Sequence, residues 1–150
     1  MANWKHYETH RRGAACVIDH EQVRDAPYEM GALTTGRQRC FHRHFVKVTM
    51  PDGAEFIGQD PYNIRAALFD LDRQLEAHRC ILVAAGIEPE FSESGLSHNS
   101  GYGYLPNVDH AIHMMDLPPP RLRDWDNDEL VSKLIGEAVG GMFSGKPSVT

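Results

Sequence analysis

The sequence predicts an α+β fold in which a mainly antiparallel sheet packs against one long helix, with a second helix near the C-terminus. Three observations lead to this prediction: a strand pair joined by a tight turn, a long amphipathic helix directly after it, and a short apolar run that follows the helix. The chain has 150 residues, 41% of them hydrophobic and 24% charged, which is typical of a single domain over residues 1–150.

The N-terminal part of the chain has the weakest pattern. Residues 14–18 form a short β-like run, whereas residues 31–36 begin and end with glycine and are typical of a turn or loop. We therefore expect residues 1–36 to be an irregular segment that contains one strand.

Residues 40–50 alternate in the manner of a half-buried strand. One parity carries the more apolar side chains and is expected to face inward; it consists of His42, His44, Val46, Val48 and Met50. The other parity holds Phe41 and Phe45 beside polar residues. Residues 51–53, Pro-Asp-Gly, have the fixed φ, the turn-forming side chain and the tolerance of positive φ that a tight turn needs. Residues 54–58 resume β-like sequence, so the segment predicts a hairpin.

A long helix is predicted next. Asp60 and Pro61 are typical of a helix start, because the carboxylate can accept hydrogen bonds from free backbone N–H groups and proline fits the first helical position. The helix is expected to end near Arg79. At about 100° per residue, one stripe of its side chains faces the core: Ile64, Leu68, Leu71, Leu75 and His78.

Shorter elements are predicted after the helix. Residues 80–85 are an apolar run too short for another helix and typical of a buried strand. A polar loop follows over residues 88–99, and residues 102–105 and 110–115 are two further strand candidates.

The C-terminal part predicts one more helix. Prolines 118–120 hold the chain extended. Residues 128–139 have the apolar periodicity of the second helix, and the glycine pair 140–141 stops it. Residues 144–150 are expected to be a flexible tail.

Composition excludes some partners. Fifteen Lys and Arg against 21 Asp and Glu give a net charge of −6, which provides no general attraction for nucleic acid. No segment approaches the about 20 apolar residues of a membrane span, and residues 1–12 are too polar for a signal peptide. Three widely spaced cysteines are typical of reduced thiols. We expect a cytoplasmic protein that contacts neither nucleic acid nor membrane.

Acidic residues are concentrated in the middle of the chain. Residues 1–50 carry 8 basic and 5 acidic side chains, residues 51–100 carry 3 and 9, and residues 101–150 carry 4 and 7. An acidic surface in the middle third would raise the rate of association with a basic partner. The alternative is a solvated face that keeps the protein soluble.

Histidines provide one candidate metal site. His42 and His44 on one strand face have a spacing that can present two imidazoles to one ion, with His110 or His113 as the third ligand. The alternative is that these histidines are hydrogen-bonded at the rim of the core, and we expect no metal and no other cofactor.

No known catalytic arrangement is present in the sequence. Cys16, Cys40 and Cys80 lie in or beside apolar runs, where burial raises the pKa of a thiol. Ser94 lacks the surrounding glycines of a nucleophile elbow. The GxG of residues 101–103 has neither the strand before it nor the helix after it that a phosphate-binding loop requires. We therefore expect a protein that is not an enzyme.

Two segments predict a protein-binding surface. Phe69, Asp72 and Glu76 lie on one flank of the predicted helix, and an aromatic ring framed by carboxylates can anchor a basic partner. The following loop also mixes carboxylates with aromatic rings; its candidates are Glu88, Glu90, Glu93, His98, Tyr102 and Tyr104. The alternatives are that Phe69 packs under a neighbouring strand and that the tyrosines are merely half-buried.

The order of motifs resembles that of a known class of small bacterial proteins. After the hairpin and helix comes the apolar strand ILVAAG at 81–86, and then ESGLSHNSGYGY at 93–104. Over residues 40–116 this resembles immunity proteins of contact-dependent growth inhibition and polymorphic toxin systems. The resemblance implies a cytosolic, non-catalytic protein that binds the C-terminal toxin domain delivered by a sister cell and blocks its active site. Such toxins are often basic nucleases, which an acidic inhibitor would complement.

Three hypotheses follow. The first is the immunity protein. The second is a small enzyme or metal-binding protein that uses His42, His44 and a third histidine. The third is an adaptor domain of a larger complex.

Overall fold

An antiparallel sheet curls around one helix in the computed structural model, which describes residues 5–93, 99–106 and 108–118. The strands of the main sheet are β1 (Lys5–Asp19), β2 (Gln22–Thr35), β3 (Cys40–Thr49), β4 (Glu55–Asp60) and β5 (Cys80–Val83), and helix α1 (Ile64–Ala77) lies between β4 and β5. A small strand pair consists of β6 (Tyr102–Gly103) and β7 (Ile112–His113). The α+β class is confirmed.

The main sheet has the strand order β4-β3-β2-β1-β5, and every neighbouring pair is antiparallel. Strands β1 to β4 follow one another as consecutive hairpins. Helix α1 then crosses the sheet, so that β5 pairs with β1 at the far edge. This crossing packs the helix against β3, β4 and β5 on one face of the sheet.

The prediction of an irregular N-terminal segment is wrong, because residues 5–35 form the two longest strands of the described chain. The turn between β1 and β2 consists of His20 and Glu21, which both have positive φ (48° and 69°). This is the sign that the turns best suited to two-residue hairpins require, and it is usually supplied by asparagine and glycine. The turn therefore carries no recognisable sequence signal.

Residues 31–36 are also different from the prediction, because Gly31 lies inside β2 and not in a turn. A Cβ atom at Gly31 would lie 2.0 Å from the backbone oxygen of Glu8, so the close approach of β1 requires glycine there. The register of β1 against β2 shifts between Thr9 and Arg11, which makes His10 the extra residue of a β-bulge. The bulge interrupts the alternation by which β1 could have been recognised.

The hairpin of β3 and β4 is confirmed. The backbone N–H of Gly53 donates to the oxygen of Met50 at 2.8 Å, and the Asp52 carboxylate accepts from the N–H of Ala54 at 2.9 Å. Val46 and Val48 are fully buried on the side of α1, as predicted.

The parity predicted for the start of β3 is wrong, because the register against β2 shifts there as well. Leu33 pairs with Arg43 and Thr34 pairs with Phe41, which makes His42 the extra residue of a second bulge. The shift places Phe41 on the face of His44 and removes His42 from that face.

Helix α1 begins three residues later than predicted. Asn63 is the N-cap, and its side chain accepts from the N–H of Ala66 at 2.9 Å. The Asp60 carboxylate instead accepts from the N–H groups of Tyr62 and Asn63, both at 2.9 Å, and so orders the turn before the helix. Four members of the predicted stripe are buried: Ile64, Leu68, Leu71 and Leu75. His78 is an exposed C-cap, because the helix ends at Ala77.

Both faces of the sheet bury apolar side chains. The α1 face contributes the main core, which contains Val17, Tyr28, Met30, Val46 and Leu82. The opposite face buries Ile18, Leu33, Phe45 and Val83. Phe45 meets Tyr7 edge to face there, with ring centroids 5.0 Å apart.

The predicted buried strand at 80–85 is confirmed as β5, and a short 3₁₀ turn, Ala85–Ile87, follows it. The two later strand candidates are shorter than predicted and pair with each other as β6 and β7. The predicted second helix, the C-terminal tail and Pro119 with Pro120 lie outside the described residues. Among the residues that are described, no helix is both long and apolar enough to cross a membrane.

Candidate functional site

The outer flank of α1 carries the residues that helical spacing predicts for a protein-binding surface. Phe69 is half-buried against the core, Asp72 is partly exposed and Glu76 is exposed. The structure therefore combines both interpretations of Phe69: one part of the ring packs inward and the rest lies at the surface.

Arg65 joins this flank to the chain after β5. Its guanidinium donates to the backbone oxygens of Gly86 and Glu88, each at 2.9 Å. The same group lies 5.1 Å from the ring centroid of Phe69 and 5.0 Å from that of Phe91. Burial lowers the pKa of Arg65, and the nearby carboxylate of Glu93 opposes that shift. The two segments predicted to bind a partner are thus adjacent in space.

The carboxylates of the following loop differ in exposure. Glu88 is only 1% exposed, so its prediction as a surface contact is wrong: it lies in the turn that packs under α1. Glu90 is exposed and Glu93 is half-buried beside Arg65. We call the exposed and partly exposed set Phe69, Asp72, Glu76 and Glu90 the acidic flank.

The two predicted tyrosines belong to different surroundings. Tyr104 is 45% exposed, and its backbone pairs with Ser92, next to Glu93. Tyr102 is 39% exposed, and its hydroxyl accepts from Arg11 at 3.0 Å. Only Tyr104 is therefore tied to the loop of the acidic flank. His98 lies outside the described residues.

Several other carboxylates of the acidic middle third have local structural roles. Asp52 and Asp60 accept backbone hydrogen bonds in turns. Asp70 accepts from the backbone N–H of Gln59 at 2.9 Å and pairs with Arg73 at 3.3 Å, which connects α1 to β4. These carboxylates of the middle third therefore stabilise turns and the packing of α1 on β4.

The histidines predicted for a metal site are divided by the fold. His42 and His110 are exposed, and His110 pairs with Asp109. His44 and His113 line the same cavity. Within residues 5–93, 99–106 and 108–118, no three His, Cys, Asp or Glu side chains are placed to hold a metal ion.

That cavity has a volume of about 450 Å³ and lies on the α1 face of the sheet. Its floor includes Met30 and Ala32 of β2, and its wall includes Ile64 in the first turn of α1. Asn99 connects residues 99–102 to the start of the helix, because its side chain accepts from the N–H of Ile64 at 2.9 Å and donates to the oxygen of Tyr62 at 3.1 Å. The residues of the two bulged stretches, His10 with Arg11 and Phe41 with His44, complete one side.

His113 is the most buried polar group of the cavity, at 1% exposure. Its Nδ1 accepts from the backbone N–H of Met115 at 3.1 Å, and its ring meets Tyr102 edge to face at 4.9 Å. Its Nε2 is buried without a hydrogen-bond partner among the described residues. Burial lowers the pKa of His113 to about 4, with Arg11 adding to the shift and Asp116 opposing it.

Two of the three cysteines are buried, and burial raises the pKa of each thiol. Burial raises the pKa of Cys16 to about 11, and burial beside Asp19 raises the pKa of Cys80. The expectation of an apolar setting is wrong for Cys40, which is exposed at the start of β3.

No family model, curated protein or solved structure matches this chain.

Sequence reasoning missed the cavity residues Arg11 and His10. Arg11 donates to the hydroxyl of Tyr28 at 2.8 Å and to that of Tyr102, which is 91 positions away in the chain. Local periodicity carries no signal for a contact of this range. The sequence pointed to three residues of the cavity for other reasons: His44 and His113 as candidate metal ligands, and Tyr102 as a candidate partner contact.

Proposed function

We propose that the chain is a non-catalytic immunity protein that binds a basic toxin domain, a nuclease, and neutralises it by protein–protein contact. The observation that supports this proposal is the acidic flank, in which Arg65 holds the outer side of α1 against the loop after β5. A segment resembling immunity proteins, residues 40–116, contains the whole flank.

The arrangement suits a basic partner for two reasons. The partly exposed ring of Phe69 offers an apolar anchor on the same flank of α1 as the carboxylates of Asp72 and Glu76. Arg65 already donates to backbone oxygens, so the cation at this site is engaged within the chain. The carboxylates of the acidic flank can pair with the lysines and arginines that a nuclease uses for phosphates.

The anchor is also rigid. Phe69 is fixed by the guanidinium of Arg65 at 5.1 Å, and the helix beneath it is fixed by four fully buried aliphatic side chains. A surface that is ordered before binding loses less conformational entropy on association. An inhibitor that must act on a newly arrived toxin benefits from such a surface, because association is faster when binding requires no rearrangement.

The test requires a toxin domain, which the proposal expects to be encoded by a gene adjacent to that of this chain. We expect the chain to protect cells that express the toxin and to bind the purified domain. The double variant Asp72→Lys/Glu76→Lys is expected to weaken binding about tenfold or more, measured by calorimetry, because it replaces attraction with repulsion. The salt dependence of the association rate should fall as well.

A matched control is Asp25→Lys/Asp109→Lys, which changes the charge by the same amount at exposed positions. Asp25 pairs across from Cys16 and points to the face of the sheet opposite α1. We expect this variant to bind like the wild type. Equal affinity of both double variants, or a toxin that is neither bound nor neutralised, contradicts the proposal; stable copurification with another assembly instead favours the adaptor.

A further inference from the structure

We propose that the cavity between the α1 face of the sheet, the first turn of α1 and residues 99–102 binds a small organic anion, a carboxylate attached to an apolar body. This site is separate from the acidic flank and does not depend on the proposed function.

The lining has one sign of charge. Arg11 is its charged side chain, His10, His44 and His113 are its histidines, and no carboxylate is among the described residues that line it. This contrasts with the net charge of −6 of the whole chain. Two carboxylates lie nearby outside the lining: Asp116 is 3.9 Å from Arg11, and Glu8 accepts from Thr34 at 3.1 Å.

Part of the lining is apolar. Met30, Ala32, Phe41 and Ile64 form a surface that suits a ring or a short alkyl chain. The combination of an apolar wall with a few convergent polar groups is typical of small-molecule sites, and a volume of about 450 Å³ lies in their usual range.

The buried donor is the Nε2–H of His113. Because Nδ1 accepts the N–H of Met115, the proton of the neutral ring lies on Nε2. That nitrogen is buried with no hydrogen-bond partner among the described residues, and an unpaired buried donor costs free energy. This nitrogen lies against Gly101, where a Cβ atom would be only 2.6 Å away, so a ligand oxygen in the cavity reaches it only if the backbone at Gly101 moves aside.

The strands are shaped around this space. The bulges at His10 and His42 lie in adjacent hairpins at the same end of the sheet, and each changes which side chains face α1. The shift in β1 places Arg11 opposite Met30, and the shift in β3 places Phe41 beside His44. Arg11 is then held by the hydroxyls of Tyr28 and Tyr102, so that its charge lies at the cavity without rearrangement.

Calorimetry with benzoate, phenylacetate and hexanoate at pH 7 tests the proposal. We expect at least one of them to bind with a dissociation constant of about 1 mM or below, a value typical of such small ligands. Phenylacetamide, which lacks the charge, and inorganic phosphate, which lacks the apolar body, should bind about tenfold more weakly than the best carboxylate. The ¹⁵Nε2 signal of His113 should move on binding.

Three variants locate the site. Ala32→Leu fills the cavity from β2, and His113→Gln removes the ring donor; each should reduce affinity about tenfold or more. Arg11→Gln should do the same, whereas its matched control Arg12→Gln, an exposed neighbour that pairs with Glu29, should not. The melting temperature of each variant checks its fold, and the ¹⁵Nε2 shift of the wild type locates binding where a variant does not fold.

The proposal is overturned if none of the three carboxylates binds, or if phenylacetamide binds as tightly as phenylacetate. It is also overturned if Ala32→Leu is folded and binds like the wild type. Loss of carboxylate binding in Ala32→Leu would support the ligand site in the cavity. Intact binding of the toxin domain by the same variant would show that the cavity and the acidic flank act independently.

Discussion

A single glycine permits the burial of His113. Gly101 has φ +88°, and a Cβ atom at this position would lie 2.6 Å from Nε2 of the histidine. Glycine therefore meets two requirements at once, the left-handed backbone and the close approach of a ring. The ring that it admits is largely removed from water, which explains why its pKa is lowered to about 4.

The lowered pKa of His113 predicts a loss of stability in mild acid. Well above pH 6.5 the ring is neutral in both the folded and the unfolded chain, so protonation of His113 does not lower the free energy of unfolding there. As the pH falls from about 6.5 to about 4, the unfolded state binds the proton first and the folded state is destabilised. We expect His113 to account for about 2 kcal/mol of the loss in unfolding free energy between pH 7 and pH 4.5.

Urea denaturation of the wild type and of His113→Gln at both pH values measures this contribution. Glutamine can still accept from the N–H of Met115 but does not titrate. The variant should therefore lose less stability in acid than the wild type does. An equal loss in the two proteins would show that other groups cause the acid sensitivity.

At the scale of elements, α1 approaches β4 so closely that the strand needs a glycine. A Cβ atom at Gly58 would lie 2.1 Å from the backbone oxygen of Ala67 and 2.5 Å from the N–H nitrogen of Leu71. We expect Gly58→Ala to lower the unfolding free energy by about 2 kcal/mol or more, because backbone atoms of the helix must move. Thermal and urea denaturation measure the change.

Gly36→Ala is the control for this prediction. Gly36 has φ +79° with nothing within 4 Å of the added Cβ atom, so only the backbone conformation opposes alanine. That conformation costs about 1 kcal/mol. If the two variants were equally stable, the contact of α1 with β4 would be looser than the structure indicates.

Local chemistry was enough to predict some elements. The hairpin of β3 and β4 has its turn chemistry in three consecutive residues, 51–53. Helix α1 shows its buried stripe at helical spacing, and β5 is a single apolar run. In each case the evidence lies within about a dozen neighbouring residues, so a periodicity can reveal it.

The errors in predicting β1, β2 and the start of β3 have related physical causes. In β1 and β3 a bulge adds one residue and shifts the alternation, so parity assigned His42 and Phe41 to the wrong faces. In β2, Gly31 is required by the close approach of β1. A glycine in the sequence alone is read as a turn signal, because the neighbouring strand is not apparent from local residues. The cavity depends on these same irregularities, whereas the shared flank of Phe69, Asp72 and Glu76 follows from regular helical spacing, which a sequence shows.

At the scale of the whole molecule, the strand order predicts a gradient of amide exchange. Strand β1 pairs on both sides over residues 16–19, and Val17 is fully buried. Strand β4 is an edge whose outer backbone groups have no strand partner among the described residues. We expect amides of residues 16–18 to exchange only through global unfolding.

Hydrogen exchange followed by NMR tests this order. The outward amides of β4 should exchange orders of magnitude faster than those of Val17 and its neighbours. Amides of β2 that pair with β1 serve as an internal reference, because β2 also lies inside the sheet. Exchange in β1 as fast as in β4 would contradict the position of β1 between β2 and β5.

The pairing of β5 with β1 affects how the chain folds during synthesis. Asp19 and Cys80 are neighbours in the sheet although 61 positions separate them. A ribosome that adds about 5–20 residues per second takes roughly 3–12 seconds to make that stretch. Throughout this interval one edge of β1 has no partner from β5, and an open edge can pair with another nascent chain. Crowded translation therefore exposes this protein to misassembly at β1 until β5 leaves the ribosome.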